Sequence, residues 1–265
     1  ESVHQSLERC VAQQSSCASS DCSDSGSDGS MENYTCMGSW TRDRGVWLVC
    51  HERMAYRLWT GSLPRHLHEP GFYSIRSAPD TDLSYVLVPE LLTLEEVATV
   101  HAAGREPTVK RCKDRAEDLG FAHVAYRCEQ ELRCAARGLY RKLLGVMVWA
   151  DLQLWKALAA YSKVFPEVEY IRYDGARSTR KYAIDPHVDN RSLVTLVCLL
   201  SQREDFGGGV LGFQPAQEDD ANSQDRLEEP RSGSAIIFRG EMLEHWVTPV
   251  TSGTRYVLQI ELADS

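Results

Sequence analysis

Apolar and polar positions follow two different periods along the chain, and the change occurs near residue 165. Between residues 93 and 162, stretches of apolar residues recur every three or four positions, which is typical of amphipathic helices. After Pro166 the pattern changes to short apolar runs and alternation, which is typical of strands. The order predicts an α+β protein in which N-terminal helices support an antiparallel sandwich or barrel.

The helical part of the pattern predicts three helices. Thr93-Leu94-Glu95-Glu96 has the form of a capping box, and the helix that it opens ends at Gly104, with Leu94, Val97 and Val100 on its apolar face. Two further helices are predicted over residues 128–145 and 148–162. Their apolar stripes are Leu132, Ala136, Leu139 and Leu143 in the first, and Leu152, Trp155 and Ala159 in the second.

Short apolar runs predict the strands. One, "LSYVLVP", precedes the first helix. The others are predicted over Val168–Tyr173, Leu193–Leu200, Val210–Phe213, Ala235–Phe238 and Tyr256–Leu262. Residues 214–230 are a long polar insertion, for which we expect a mobile surface loop.

Composition divides the chain into three parts. Residues 1–32 are rich in Ser and Asp, cannot bury enough apolar surface to offset their ordering entropy, and are expected to be disordered. Residues 33–82 hold short aromatic and β-branched runs that predict a small β-rich extension and a linker. This extension is either a separate meander or an added edge of the main domain, which we expect over residues 83–265.

Charge and cysteine usage narrow the function classes. The 265 residues carry a net charge of -9, which argues against a nucleic-acid-binding face. The apolar runs fall short of the roughly 18 residues of a membrane span, so none is expected. The nine cysteines have no regular spacing, which indicates free thiols and an intracellular reducing compartment rather than a disulfide scaffold.

The sequence "PHVDN" just before an apolar run is the first chemical signal. His187 and Asp189 are two residues apart, and His245 stands at the start of the last strand pair. Two imidazoles and one carboxylate on one face of a sheet leave three coordination positions open, as in the facial triad of non-haem Fe(II) oxygenases. We therefore predict His187, Asp189 and His245 as metal ligands.

Arg255 follows His245 by ten residues on the same predicted strand pair. Strand alternation puts Arg255 on the face of Val257 and Gln259, and this pattern leaves its burial open. A buried guanidinium needs an anionic partner, and a carboxylate fits its planar fork. A dicarboxylate bound to the metal at one end could be held by Arg255 at the other.

The stretches "YDGARSTRKYAIDPHVDN", "FGGGVLGF" and "HWVTPVTSGTRYVL" together resemble the 2-oxoglutarate- and Fe(II)-dependent dioxygenases of the prolyl 4-hydroxylase superfamily. The resemblance covers roughly residues 83–262. It implies a double-stranded β-helix, or jelly roll, in which His187, Asp189 and His245 bind Fe(II). It also implies that Arg255 pairs with 2-oxoglutarate, that O2 is consumed and that ascorbate keeps the iron reduced.

The resemblance extends to further contacts with 2-oxoglutarate. Tyr173 stands where the family has a tyrosine near this co-substrate, and Tyr182 is the alternative. Thr195 could add a hydroxyl to the same pocket. Leu199 stands where some protein-directed prolyl hydroxylases have a tyrosine, which argues against close kinship with those members. No catalytic side chain is expected beyond the metal centre.

The reaction implied is hydroxylation of an unactivated C–H bond, with succinate and CO2 as co-products. Peptidyl proline is the family's default substrate, although another protein, a peptide or a small molecule would fit the same chemistry. A catalytically silent jelly-roll module that binds metal or ligand is the alternative, and the intact ligand set argues against it. A cupin-like binder with another metal is disfavoured by Arg255 and the His-x-Asp order.

Overall fold

A computed structural model describes residues 46–49, 55–58, 72–112, 123–161, 164–175, 181–217 and 224–264. The helices are α1 (Leu94–Gly104), α2 (Glu129–Ala135) and α3 (Arg137–Gln153). The strands are β1 (Val46–Val49), β2 (Ala55–Leu58), β3 (Ser74–Arg76), β4 (Tyr85–Val88), β5 (Lys110–Arg111), β6 (His123–Arg127), β7 (Phe165–Asp174), β8 (Ile184–His187), β9 (Ser192–Leu199), β10 (Phe206–Gly208), β11 (Leu211–Phe213), β12 (Arg226–Glu228), β13 (Ala235–Phe238), β14 (His245–Val247) and β15 (Val250–Ala263).

Two antiparallel sheets form the body of the main domain. The large sheet has nine strands, in the order β3-β4-β13-β9-β15-β7-β6-β5, and β10 pairs with β15 beside this path. The small sheet has four strands in the order β12-β11-β14-β8. Along the chain, strands β8 to β15 pass back and forth between the two sheets, which is the arrangement of a jelly roll. This confirms the α+β class and the jelly-roll core that the sequence predicts.

Alternation along the strands gives the large sheet two apolar faces. On β13, Ala235 and Ile237 pack with the helices, while Ile236 and Phe238 pack against residues of the small sheet. The long strand β15 sends Leu258 and Ile260 towards the helices by the same rule. The helices therefore cover one face, and the space between the two sheets is the inside of the jelly roll.

The first helix begins as its capping box predicts. The Thr93 side chain accepts from the Glu96 backbone N–H at 3.2 Å, and the Glu96 carboxylate accepts from the Thr93 N–H at 2.8 Å. Val97 and Val100 are buried, but Leu94 is 73% exposed and does not belong to the apolar face. The first turn of α1 therefore lies further from the core than the sequence pattern indicates.

The next helical region is divided differently from the prediction. The helical conformation is interrupted at Ala136, where φ is -150° and ψ is 70°, so α2 ends at Ala135. The next helix, α3, continues without interruption through residues 146–148. The predicted gap at 146–147 is therefore wrong, and a 3-10 turn (Ala157–Ala160) replaces the end of the second predicted helix. The apolar stripe crosses the break because Leu132 and Leu139 enter the same core.

The large sheet includes a strand that precedes residue 83. Strand β3 pairs with β4 and is an edge of the large sheet, so this sheet starts before residue 83. Strands β1 and β2 form the antiparallel hairpin that the runs "GVWLVCH" and "MAYRLWTG" predict. The expected disorder of residues 1–32 and the run "YTCMGSW" lie outside the described residues.

Several strands are absent from the sequence-based prediction. They are β3, β5, β6, β8, β10 and β12, and most have two to four residues. Strand β12 lies inside the polar insertion 214–230, where Arg226 donates to the Leu83 and Gln214 carbonyl oxygens at 2.7 and 2.9 Å. The described part of this insertion is thus anchored to the fold rather than a free loop.

The described cysteines are free thiols: Cys112, Cys128, Cys134 and Cys198. This agrees with the predicted absence of a disulfide scaffold in this part of the chain. Among the helices that the structure describes, none combines the length and the apolar character that a membrane crossing requires.

Asp151 is a fully buried carboxyl group near the end of α3. It accepts from the Ala157 N–H at 2.8 Å and from the Leu158 N–H at 3.3 Å, which closes the turn after the helix. Burial raises the pKa of Asp151 to about 6, against the opposing effect of these hydrogen bonds and of Arg239. The folded protein therefore favours the protonated form more than the unfolded chain does.

This difference predicts a pH-dependent contribution to stability. The contribution of Asp151 is greatest below its unfolded pKa and is lost as the pH rises through about 6. It amounts to about 3 kcal/mol at most. Asp151→Asn should therefore become more stable relative to the parent between pH 4 and pH 7, measured by thermal unfolding. The exposed Asp225→Asn is the control, and parallel curves for Asp151→Asn and the parent would contradict the assignment.

Candidate metal and co-substrate site

Two neighbouring strands of the small sheet carry the two histidines. His187 is the last residue of the edge strand β8, and it lies opposite His245, the first residue of β14. Asp189 follows β8 by two residues, and its N–H donates to the Gly240 carbonyl oxygen at 2.8 Å. This backbone bond turns the chain inwards, so the Asp189 side chain meets both imidazoles.

The three side chains lie close enough to bind one ion. Their potential ligand atoms all lie within 4.8 Å of one another. His187 Nε2 is 3.5 Å from Asp189 Oδ1, and His245 Nε2 is 3.5 Å from Asp189 Oδ2. The structure therefore brings together the three residues that the His-x-Asp pattern and the distal histidine single out.

Backbone carbonyl groups orient both imidazoles. His187 Nδ1 lies 2.8 Å from the Asp185 carbonyl oxygen, and His245 Nδ1 lies 3.0 Å from that of Leu243. A carbonyl oxygen only accepts, so each Nδ1 donates to it, and each Nε2 faces Asp189. Such a bond is typical of metal-binding histidines. The His187 side chain is 36% exposed and that of His245 only 7%, so the cluster is open on the β8 side.

Asp189 is held as a carboxylate. Burial would raise the pKa of Asp189, but hydrogen bonding and positive charge from His187 and His245 hold it well below its usual range. The Thr195 hydroxyl also donates to Asp189 Oδ2 at 2.8 Å. Thr195 was expected beside the co-substrate, and the structure gives its hydroxyl this carboxylate as a partner.

Arg255 lies inside the jelly roll on β15. It is 2% exposed, and its Nε and Nη1 atoms have no hydrogen-bond partner among the described residues. Burial lowers the pKa of Arg255, and the Tyr173 side chain acts in the opposite direction. Because a buried cation with unused donors is costly, this position is suited to an anionic ligand. The strand pattern in the sequence leaves the burial of Arg255 open, and the structure shows that Arg255 is buried.

A glycine segment forms one wall beside Arg255. Gly208 and Gly209 have φ values of +69° and +65°, which other residues rarely adopt. A Cβ atom on Gly209 would lie 2.7 Å from Arg255 Cδ and 3.3 Å from Phe206 Cε2. Because Gly209 has no side chain, the backbone of the segment "FGGG" can lie close to the aliphatic part of the Arg255 side chain.

Tyr173 and Tyr182 occupy different environments. Tyr173 is buried opposite Arg255 in the β7–β15 register, and the Arg255 Cζ lies 4.9 Å from its ring centroid. Tyr182 is half-buried and contacts Trp246, with ring centroids 6.5 Å apart. Trp246 itself packs over Gly212. The geometry thus favours Tyr173 as the tyrosine next to the anionic position.

Sequence reasoning missed other residues of this region. His123 lies opposite Tyr173 in the β6–β7 register, with ring centroids 5.4 Å apart. The signal in the sequence that could have identified His123 is its alternation with Ala125, which is also buried. Ser192 was also missed, although its hydroxyl lies 2.7 Å from that of Thr195.

The fold and this cluster define a class of protein: a jelly roll that presents two histidines and one carboxylate, the ligand set of facial-triad metal sites. Residues 169–260 match the model of the 2OG-Fe(II) oxygenase superfamily. This segment contains His187, Asp189, His245 and Arg255, and it is similar to that superfamily. The protein is therefore an oxidoreductase of the 2-oxoglutarate-dependent dioxygenase type, for which Fe(II) and 2-oxoglutarate are the implied cofactor and co-substrate.

Comparison with solved structures finds oxygenases of the same type at low identity. A 2OG-Fe(II) oxygenase-family oxidoreductase from Burkholderia pseudomallei is 14% identical, covering 68% of this chain and 84% of the other, with a TM-score of 0.46. A Pseudomonas putida prolyl-4-hydroxylase is 17% identical over the same shares, with a TM-score of 0.42. The carbocyclase SnoK from nogalamycin biosynthesis is 16% identical over 69% and 80%, with a TM-score of 0.45.

These values are too low to say anything about the substrate. The fold is instead assigned from the strand pairing itself. The chain matches none of the curated proteins with which it was compared.

Proposed function

We propose that this protein hydroxylates an unactivated C–H bond of a peptidyl proline, using Fe(II), O2 and 2-oxoglutarate and releasing succinate and CO2. One observation carries the proposal. Within one jelly roll, the His187–Asp189–His245 cluster occurs together with a buried Arg255, and two donor nitrogens of Arg255 have no partner among the residues that the structure describes. A metal ligand set and a separate carboxylate receptor match the two ends of 2-oxoglutarate.

Each residue has a distinct role in this proposal. His187 Nε2, His245 Nε2 and Asp189 would hold Fe(II), and Nε and Nη1 of Arg255 would bind the distal carboxylate of 2-oxoglutarate. Tyr173 packs against the guanidinium and limits its movement. Bound Fe(II) would supply the oxidative chemistry with O2, while the protein binds, orients and excludes water.

Apolar residues around Arg255 favour tight binding of a carboxylate. Phe206, Leu199 and Val257 are all buried in the core between the sheets. In such surroundings the attraction between a guanidinium and a carboxylate is screened less than in water. Leu199 offers no hydroxyl group, so Arg255 and Tyr173 would provide the polar contacts to the distal carboxylate.

The exposed side of the cluster suits the entry of the substrate. His187 lies on an edge strand and is half-exposed, whereas Asp189 and His245 are buried. A protein or peptide chain could therefore bring a side chain to the cluster from the β8 side. The choice of peptidyl proline is supported by the motif resemblance, because the fold alone does not select a substrate.

The first test is succinate formation by the purified chain with Fe(II), ascorbate, O2 and 2-oxoglutarate, alone and with proline-containing peptides. We expect slow succinate release without peptide, faster release with an accepted peptide, and none from His245→Ala. Omitting ascorbate should shorten the period of activity, because we propose that it keeps the iron reduced.

The outcomes separate the proposal from its alternative. If the parent protein forms no succinate and binds neither Fe(II) nor 2-oxoglutarate, it is a silent module rather than an enzyme. Succinate that rises only with a non-peptide substrate would retain the dioxygenase and reject peptidyl proline.

A further inference from the structure

A chain of three polar side chains ends at the Asp189 carboxylate. Thr195 donates to Asp189 Oδ2 at 2.8 Å, and the Ser192 hydroxyl lies 2.7 Å from that of Thr195. Ser192 and Thr195 are both fully buried on β9, in the large sheet. A hydrogen-bonded chain that is closed to solvent thus connects this sheet to the cluster on the small sheet.

The direction of the hydrogen bonds follows from their last member. An ionised carboxylate only accepts, so Thr195 must give its one hydroxyl proton to Asp189. The Thr195 oxygen is then an acceptor, and Ser192 is the donor to it. Each donor in the chain is therefore assigned, and Thr195 has no proton left for a ligand in the pocket.

Gly240 fixes this arrangement from the other side. A Cβ atom on Gly240 would lie 2.3 Å from Thr195 Oγ1 and 2.8 Å from Ser192 Cβ. The Gly240 carbonyl oxygen also accepts the Asp189 N–H. The same short segment thus packs against both hydroxyl residues and anchors the backbone of the carboxylate residue.

We propose that Thr195 is a positioning residue for the metal carboxylate, and that its hydrogen bond to Oδ2 holds Asp189 in the orientation that binds the ion. This inference rests on the proposed function, in which Asp189 is a metal ligand. Partners that orient a metal ligand in this way raise the affinity for the metal. Thr195 acts on the metal through Asp189 and makes no contact with 2-oxoglutarate.

The test measures metal and co-substrate binding separately in the full chain. Co(II) is titrated by its visible absorption, and 2-oxoglutarate is then titrated at saturating Co(II). Thr195→Val removes the hydroxyl at nearly constant shape, and we expect Co(II) to bind about 10-fold more weakly or worse. Thr195→Ser should restore Co(II) affinity, and 2-oxoglutarate affinity at saturating Co(II) should be unchanged in both variants.

Other outcomes would overturn the inference. Unchanged Co(II) affinity in Thr195→Val rejects the positioning role, and a loss confined to 2-oxoglutarate binding makes Thr195 a co-substrate contact instead. If Thr195→Val does not fold, Ser192→Ala is measured in its place. Weaker Co(II) binding by Ser192→Ala supports the positioning role of the Ser192–Thr195–Asp189 hydrogen bonds, and unchanged binding rejects it. A parent protein that binds no Co(II), or a His245→Ala variant that binds it equally well, would instead reject the proposed function itself.

Discussion

Replacing Arg255 by methionine should abolish binding of 2-oxoglutarate and, at the same time, make the ligand-free protein more stable. The guanidinium is 2% exposed, and two of its nitrogens have no hydrogen-bond partner in the described part of the chain, so the free protein bears the cost of a buried charge. Methionine fills similar volume without this cost. In the complex the same charge would pair with a carboxylate, and truncating one partner of such a pair costs about 2–5 kcal/mol.

Two measurements on one variant check this prediction. We expect at least about 100-fold weaker 2-oxoglutarate binding at saturating Co(II), together with a higher melting temperature without ligand. Arg255→Lys should bind with intermediate affinity, because an ammonium keeps the charge but loses the planar fork. The exposed Arg191→Met is the control and should leave 2-oxoglutarate binding unchanged. Arg255→Met with parental affinity would contradict the assignment of the carboxylate position.

The proximity of His187, Asp189 and His245 could be predicted because their residue types are informative. A histidine and an aspartate two residues apart, with a distal histidine and an arginine ten residues later, form an ordered set that core packing alone does not explain. The strand that carries His187 is missing from the prediction. Strand β8 has four residues, too few to display a period.

Non-local contacts account for the other differences from the sequence pattern. Thr195 has the spacing of an inward-facing strand residue, but its partner depends on Gly240, which the chain brings beside it only after 45 further residues. Strand β3 has three residues and is recognisable only by its pairing with β4. The break at Ala136 lacks a proline, and the apolar stripe continues through it, so a local pattern has no signal for it.

Asp189→Asn should remove metal binding while leaving the fold intact. The amide has nearly the same shape and can still accept from Thr195, but it lacks the negative charge that lies between two imidazoles. Substitutions of residues that only orient a ligand cost about 10–100-fold in metal affinity, so loss of the charged ligand should exceed about 100-fold. Titration with Co(II) measures this loss, and an unchanged far-ultraviolet circular dichroism spectrum verifies the fold.

Arg255→Met and Asp189→Asn should each lose the ligand that the other variant retains in full or in part. Arg255→Met should keep Co(II) affinity and lose 2-oxoglutarate, because the guanidinium makes no contact with the cluster in the proposed arrangement. Asp189→Asn should lose Co(II) and retain only the part of 2-oxoglutarate binding that Arg255 provides. Asp185→Asn, an exposed carboxyl change two residues before His187, is the matched control. If Asp189→Asn bound Co(II) as the parent does, the ion would have to bind elsewhere, and the buried carboxylate would be a structural partner of the two histidines.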